Sequence, residues 1–154
     1  MDTVGLGFYW DDLKVGYKFK TVGRTVTEAD ITIFTGVTGM TEVLFNNLEF
    51  LKSESAIQGR PAPGALVYAF AEGLLVQSTM QGTGLAFLEC ELKVLKPVSA
   101  GDTVHVECEV VSIKPTSKGN RGIVRTENKV VNQRGEVVMT YNPLRMMKGR
   151  PKPA

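Results

Sequence analysis

The feature that most constrains this chain is an almost unbroken apolar run from Ala65 to Gln77, broken only by Glu72 and Gly73. It comes after Gln58-Gly59-Arg60-Pro61-Ala62-Pro63-Gly64, where prolines and glycines interrupt regular structure by fixing dihedrals and removing amide donors. The run reads as a helix that is apolar nearly all round, which implies burial on most sides. The C-terminal half of the chain supplies the cover. Gly84–Val94, Asp102–Lys114, Gly122–Asn132 and Glu136–Leu144 read as strands, with turn signals at Lys96-Pro97, Ala100-Gly101-Asp102, Lys118-Gly119-Asn120 and Gln133-Arg134-Gly135. In the second of these strands Val104, Val106, Cys108 and Val110 share one face, and His105, Glu107 and Glu109 share the other. The only histidine, His105, is therefore expected at the surface or at an edge. One long helix followed by a meander of strands predicts an α+β architecture, a curved antiparallel sheet wrapped around a central helix. A single such layer leaves a strand edge open, so pairing of two copies is expected.

The N-terminal part leads into this core. Trp10–Leu13 reads as a lead-in and Tyr17–Val26 as a first strand. Thr27 and Asp30 have capping-box spacing, which satisfies free amides at a helix start. Ile31, Phe34 and Val37 or Thr38 give that helix an apolar face, and Gly36 and Gly39 close it. A polar loop comes next, and Leu48–Ser53 reads as a second short helix.

Length and composition exclude several classes. At 154 residues the chain is expected to be one domain, residues 1–154, large enough to bury a core without disulfide or metal staples. The segment 145–154 reads as a loosely ordered tail. Its Arg145, Lys148, Arg150 and Lys152 either decorate that tail or attract an anionic group such as a nucleotide phosphate. No stretch approaches the roughly 20 apolar residues of a membrane helix. No secretory signal is visible at the start, so the expected compartment is the cytoplasm. Cys90 and Cys108 read as reduced thiols. No metal site is expected from two cysteines and one histidine. No phosphate loop, dinucleotide fingerprint or nucleophile elbow is present, so no cofactor is expected. Nucleic-acid binding is not expected either, because aromatic and basic residues do not interleave.

Several fragments in order carry a resemblance over nearly the whole length. They are Gly23-Arg24-Thr25-Val26-Thr27-Glu28-Ala29-Asp30, Phe34-Thr35-Gly36-Val37-Thr38-Gly39, Ala62-Pro63-Gly64-Ala65-Leu66-Val67, Lys96-Pro97-Val98 before Gly101-Asp102, and Asn132-Gln133-Arg134-Gly135-Glu136-Val137-Val138. On these the chain resembles the MaoC-like dehydratases, the hot-dog-fold family that includes (R)-specific enoyl-CoA hydratases. The resemblance implies a single hot-dog domain, a homodimer or higher homo-oligomer, and an acyl-CoA thioester as ligand. It also implies hydration of an enoyl-CoA or dehydration of a 3-hydroxyacyl-CoA. In the family an aspartate and a histidine five positions apart activate water and move a proton, and a backbone amide before the central helix polarises the thioester oxygen. Such a reaction needs a base for water, a proton donor to the α carbon and stabilisation of a developing enolate.

Carried over by position, the aspartate falls on Met40 and the histidine on Phe45, neither of which exchanges a proton. The Asn-Pro between them becomes Glu42-Val43, and the His-Gly before the helix becomes Pro63-Gly64, so the glycine amide is retained. Glu42 and Glu72 are the remaining acid–base candidates. A carboxylate at Glu72, among Phe70, Ala71, Leu74 and Leu75, is costly to ionise unless paired. It either takes part in catalysis or reaches an arginine, a backbone donor or solvent. Asn46 and Asn47 are candidates to bind substrate, or else turn residues. With Gly64 and Pro63 they complete the expected substrate-binding set. Three activities stay open at this point: a hydratase or dehydratase with a non-standard or impaired acid–base pair, a non-catalytic acyl-CoA-binding protein, and a thioesterase.

Overall fold

The computed structural model describes residues 1–54 and 56–152. After a 3-10 turn at Trp10–Asp12 come strands β1 (Lys18–Lys20) and β2 (Arg24–Thr25), then helices α1 (Glu28–Thr38), α2 (Val43–Asn46), α3 (Leu48–Ser53) and α4 (Gly64–Thr79). Strands β3 (Gly84–Glu89), β4 (Leu92–Val94), β5 (Thr103–Pro115), β6 (Arg121–Asn132), β7 (Val137–Tyr141) and β8 (Leu144–Lys148) complete the chain. This is the expected α+β hot-dog arrangement of a central helix against an antiparallel sheet that does not close.

The long β5–β6 hairpin is its backbone, in register from Val104 opposite Asn132 to Pro115 opposite Gly122, with a bulge between Val110 and Ser112. β1 and β2 pair with β5 on one side. On the other side, β6 pairs with β8 along its first half and with β7 along its second. β3 and β4 then pair with β8 and β7 to form the far edge. Two expected strands are thus each split in two. Asn142 and Pro143 interrupt the last one, because proline cannot donate to a ladder.

Segment 145–154, expected as a loose tail, begins instead with the rest of β8. Arg145 and Met147 are buried there, because alternation continues past Pro143 and turns every second side chain inward. Arg150 is also held, its backbone amide donating to Asp11 Oδ1 and its guanidinium to Asp12. Residues 153–154 lie outside the described part.

α1 starts as its spacing predicts. The Asp30 amide donates to Thr27 Oγ1, and the Thr27 amide donates to Asp30 Oδ2 at 2.8 Å. It ends at Gly39 in the left-handed region (φ 74°), which glycine enters without a Cβ clash. α4 buries Leu66, Val67, Phe70, Ala71, Leu74 and Leu75 against Val104, Val106, Val130, Val138 and Met139 of the sheet. Its cover is narrower than the sequence suggests. The sheet lies on one side only, and Ala65, Ala69, Gly73 and Val76 form an exposed stripe on the other. A smaller core of Val110, Val124 and Met147 sits under Phe8, Trp10 and Leu13. Gly122 makes room there, since a Cβ on it would lie 2.5 Å from the Trp10 ring.

Candidate active site

The turn before α4 and the segment after α1 meet at one groove. Pro63 is fully buried and stands at the N-cap of α4, which leaves the first helical amides, Gly64 among them, without acceptors inside the helix. The groove is lined by Leu44, Phe45, Ala62, Gly64, Val67 and Val94, among others, and encloses about 360 Å³. Its wall is almost wholly apolar. Phe45 and Gly64 are thus brought together at one groove.

Arg60 fixes this mouth. Its Nε donates to Glu28 Oε2 at 2.8 Å, tying the proline-rich turn to the start of α1. Its Nη1 donates to the Phe45 carbonyl. Arg24 braces the same end, with its guanidinium 3.8 Å from the centre of the Phe70 ring and Nη2 on Asp30. Sequence reading named neither arginine as a positioning group, because both act on partners far along the chain.

Most of the candidate acids and amides have local partners. Glu42 is exposed and caps α2, accepting from the Leu44 amide at 2.9 Å. Asn47 caps α3, accepting from the amides of Glu49 and Phe50. Asn46 ends α2 and is exposed, as is Met40. α2 itself went unforeseen, since four residues give no helical period to read. Glu72 lies two turns along α4 and pairs with Arg145 at 2.5 Å, their side chains being 18% and 9% exposed. The groove that holds Phe45 and Gly64 contains neither Glu42 nor Glu72.

Around Glu72 and Arg145 the fold gathers a second polar cluster. The Tyr68 ring meets Tyr141 edge-on at 5.4 Å, and the Arg145 guanidinium stands 5.1 Å from the centre of the Phe87 ring. Burial pushes the thiol of Cys108 up to about 12, and burial first, then the charge of Glu72, raises the Tyr141 phenol. Tyr68 and Cys90 are raised by burial as well. These groups are held neutral around one compensated ion pair.

Comparison with known proteins agrees with the fold. The model of a family described as the FAS1-like, dehydratase domain region matches residues 14–141. A MaoC-like dehydratase from Rhodospirillum rubrum is 31% identical, over 95% of this chain and 100% of that one, with a TM-score of 0.79. This chain belongs to the MaoC-like dehydratase family. A putative MaoC domain protein dehydratase from Chloroflexus aurantiacus is 25% identical with a TM-score of 0.89, over 100% of this chain but 44% of that one. A Mycobacterium tuberculosis protein with a double hot-dog fold is 22% identical with a TM-score of 0.87, over 99% of this chain and 48% of that one. This MaoC-like chain therefore spans less than half the length of those two proteins. No curated protein matches it in sequence.

Proposed function

We propose that this chain serves the hydration of an enoyl-CoA, or the dehydration of a 3-hydroxyacyl-CoA, as a thioester-holding hot-dog unit whose own acid–base pair is impaired. The observation that carries this reading is the groove shared by Phe45 and Gly64. On the resemblance, the Gly64 amide at the helix start is the donor a thioester oxygen needs, and Phe45 takes the position of the family's proton carrier. Donors aimed at the position of a developing enolate stabilise it without side-chain protonation, so binding and polarisation survive here while proton transfer does not. Glu42 is already engaged at a helix cap and Glu72 in an ion pair, which argues against either as a free base.

A second hot-dog unit completes the proposal. The β3–β4 edge is exposed along its whole length and carries Leu85, Phe87, Leu88, Leu92 and Val94. Natural sheets seldom leave such an edge bare. Pairing with a second copy gives the expected homodimer, and pairing with a related hot-dog chain that has the aspartate and histidine gives a complete site. The length relation to the double hot-dog protein supports two-unit assembly. Thioester chemistry and two free thiols suit a reducing, cytoplasmic setting.

Calorimetry with a saturated acyl-CoA, beside a spectrophotometric assay of enoyl-CoA hydration, tests this. Expected are stoichiometric binding and a hydration rate at background for the purified chain. Rapid hydration that Glu42→Gln or Glu72→Gln lowers at least about a hundredfold would instead establish a non-standard catalytic pair in this chain. Release of free thiol would mark a thioesterase.

A further inference from the structure

The turn that leads into α4 lines two grooves, one after the other. Pro61, Ala62 and Gly64 line the groove already described. Gln58, Gly59 and Arg60, just before them in the chain, line a second groove of about 400 Å³. The short helices repeat the pattern. Leu44 and Phe45 of α2 line the first groove, and Leu48, Leu51 and Lys52 of α3 line the second. Ile57 lines both. A ligand held at the Gly64 amide can therefore run back along the turn from one groove into the other.

The two grooves differ in chemistry. The first is almost wholly apolar, which suits an acyl chain. The second adds polar groups to the apolar lining of Leu48, Leu51 and Ile57. Its cation is Lys52, whose side chain is 70% exposed and pairs with Glu49, itself 82% exposed. So open a pair is worth little, and a phosphate oxygen can replace that carboxylate at small cost. Gln58 is exposed and has a carboxamide that both donates and accepts. Arg60 is already engaged with Glu28 and the Phe45 carbonyl, so it serves as wall. Leu48 is 56% exposed, a large apolar side chain left in water beside these polar groups.

We propose that the α3 groove receives the phosphopantetheine arm of the thioester, its dimethyl group against Leu48 and Ile57, its amides at Gln58 and its phosphate at Lys52. The assignment rests on the thioester reading and names the part of the ligand that this chain recognises. The order of groups along the arm matches the order along the grooves. The thioester comes first, two amides and a branched apolar carbon follow, and a phosphate ends it. Length agrees as well. Four extended residues, Gly64 back to Arg60, span at most about 14 Å, and an extended arm of two amide-linked units is of that order. The same arm is carried by CoA and by acyl carrier proteins, so the groove fits either source.

Calorimetric titration of the purified chain with octanoyl-N-acetylcysteamine, octanoyl-phosphopantetheine, octanoyl-CoA and an octanoyl carrier protein tests the assignment. Octanoyl-phosphopantetheine should bind about a hundredfold tighter than the acetylcysteamine thioester, which lacks the dimethyl group and the phosphate. Lys52→Glu and Leu48→Glu should each cut that ratio about tenfold. Both side chains are exposed, so folding is not at stake in either variant. Of the two natural sources, the one that binds at least as tightly as the free arm is the one this groove serves. If both bind more weakly than the free arm, neither source fits and the assignment falls. Equal binding of the truncated and full-arm thioesters would overturn the α3 groove and leave the thioester reading standing. A ratio unmoved by both variants would overturn it too. If no thioester binds at all, the thioester reading falls and this assignment with it.

Discussion

Glu72 and Arg145 show how one side chain can suggest catalysis while serving the fold. Both lie almost out of solvent, and a buried charge is tolerated only with a partner. Removing one of two buried partners leaves the other uncompensated, at a cost of about 3–5 kcal/mol, whereas replacing both with apolar groups of similar size is often neutral or better. Glu72→Leu is therefore expected to lower unfolding free energy in urea by an amount in that range. Glu72→Leu with Arg145→Met should recover most of the loss. If Glu72→Leu leaves stability unchanged, the pair is not a structural element and Glu72 regains its standing as an acid–base candidate. A smaller residue-scale effect is expected at Thr27. Its hydroxyl accepts from the Asp30 amide while Asp30 accepts from the Thr27 amide. Thr27→Ala should cost about 1 kcal/mol by the same urea measurement, the usual worth of an N-cap.

At the scale of elements, the exposed β3–β4 edge is where assembly is written. Leu88 and Val94 are 44% and 57% exposed in the single chain, more apolar surface than an unpaired edge normally shows. Leu88→Lys with Val94→Lys places charges along it, a device by which natural edge strands resist pairing. In sedimentation experiments the unmodified chain should sediment as a dimer or larger and the double variant as a monomer with unchanged far-ultraviolet circular dichroism. A monomeric unmodified chain would remove the edge from consideration as a self-pairing surface. Elements whose signals are local are readable without the fold. The Thr27 capping box, the run after Gly64, and the alternation of Val104, Val106, Cys108 and Val110 each follow from neighbours in sequence. What escapes reading depends on distance along the chain. Arg145 looks like part of a solvated tail because nothing near it announces Glu72, and the Arg60 link to the Phe45 carbonyl joins segments whose approach only the fold decides. The same holds for the site. By the resemblance, Met40 and Phe45 read as substitutions in a motif. Capping by Glu42 and Asn47 is not legible, because α2 is too short to have a period.

For the whole molecule, ionisation sets the range of pH over which the fold is most stable. Hydrogen bonds from Asn132, Lys96 and Arg134 hold Glu136 down from 4.5 to about 2. Burial pushes Asp102 up, but hydrogen bonds from Gln133, the Ser99 amide and Arg134 outweigh it and leave the carboxyl lowered. Below about pH 4.5 the unfolded chain takes up protons that the folded chain still refuses, so the stability these carboxylates confer is complete above that value and drains away toward pH 2. At the other end, burial raises Cys108 from 9.0 to about 12. Above pH 9 the unfolded thiol loses its proton while the folded one keeps it, and stability falls again. Urea midpoints measured across pH should accordingly form a plateau between about 4.5 and 9 with a decline on either side. Each limb has its own variant. Glu136→Gln should flatten the acid decline and leave the alkaline one, because its amide cannot titrate. Cys108→Ala should lower the whole curve through the cavity it opens, yet make the alkaline decline shallower. If Cys108→Ala keeps the full alkaline slope, that limb belongs to other buried groups such as Tyr141, whose phenol burial also raises. Tyr141→Phe, measured the same way, would then flatten what remains.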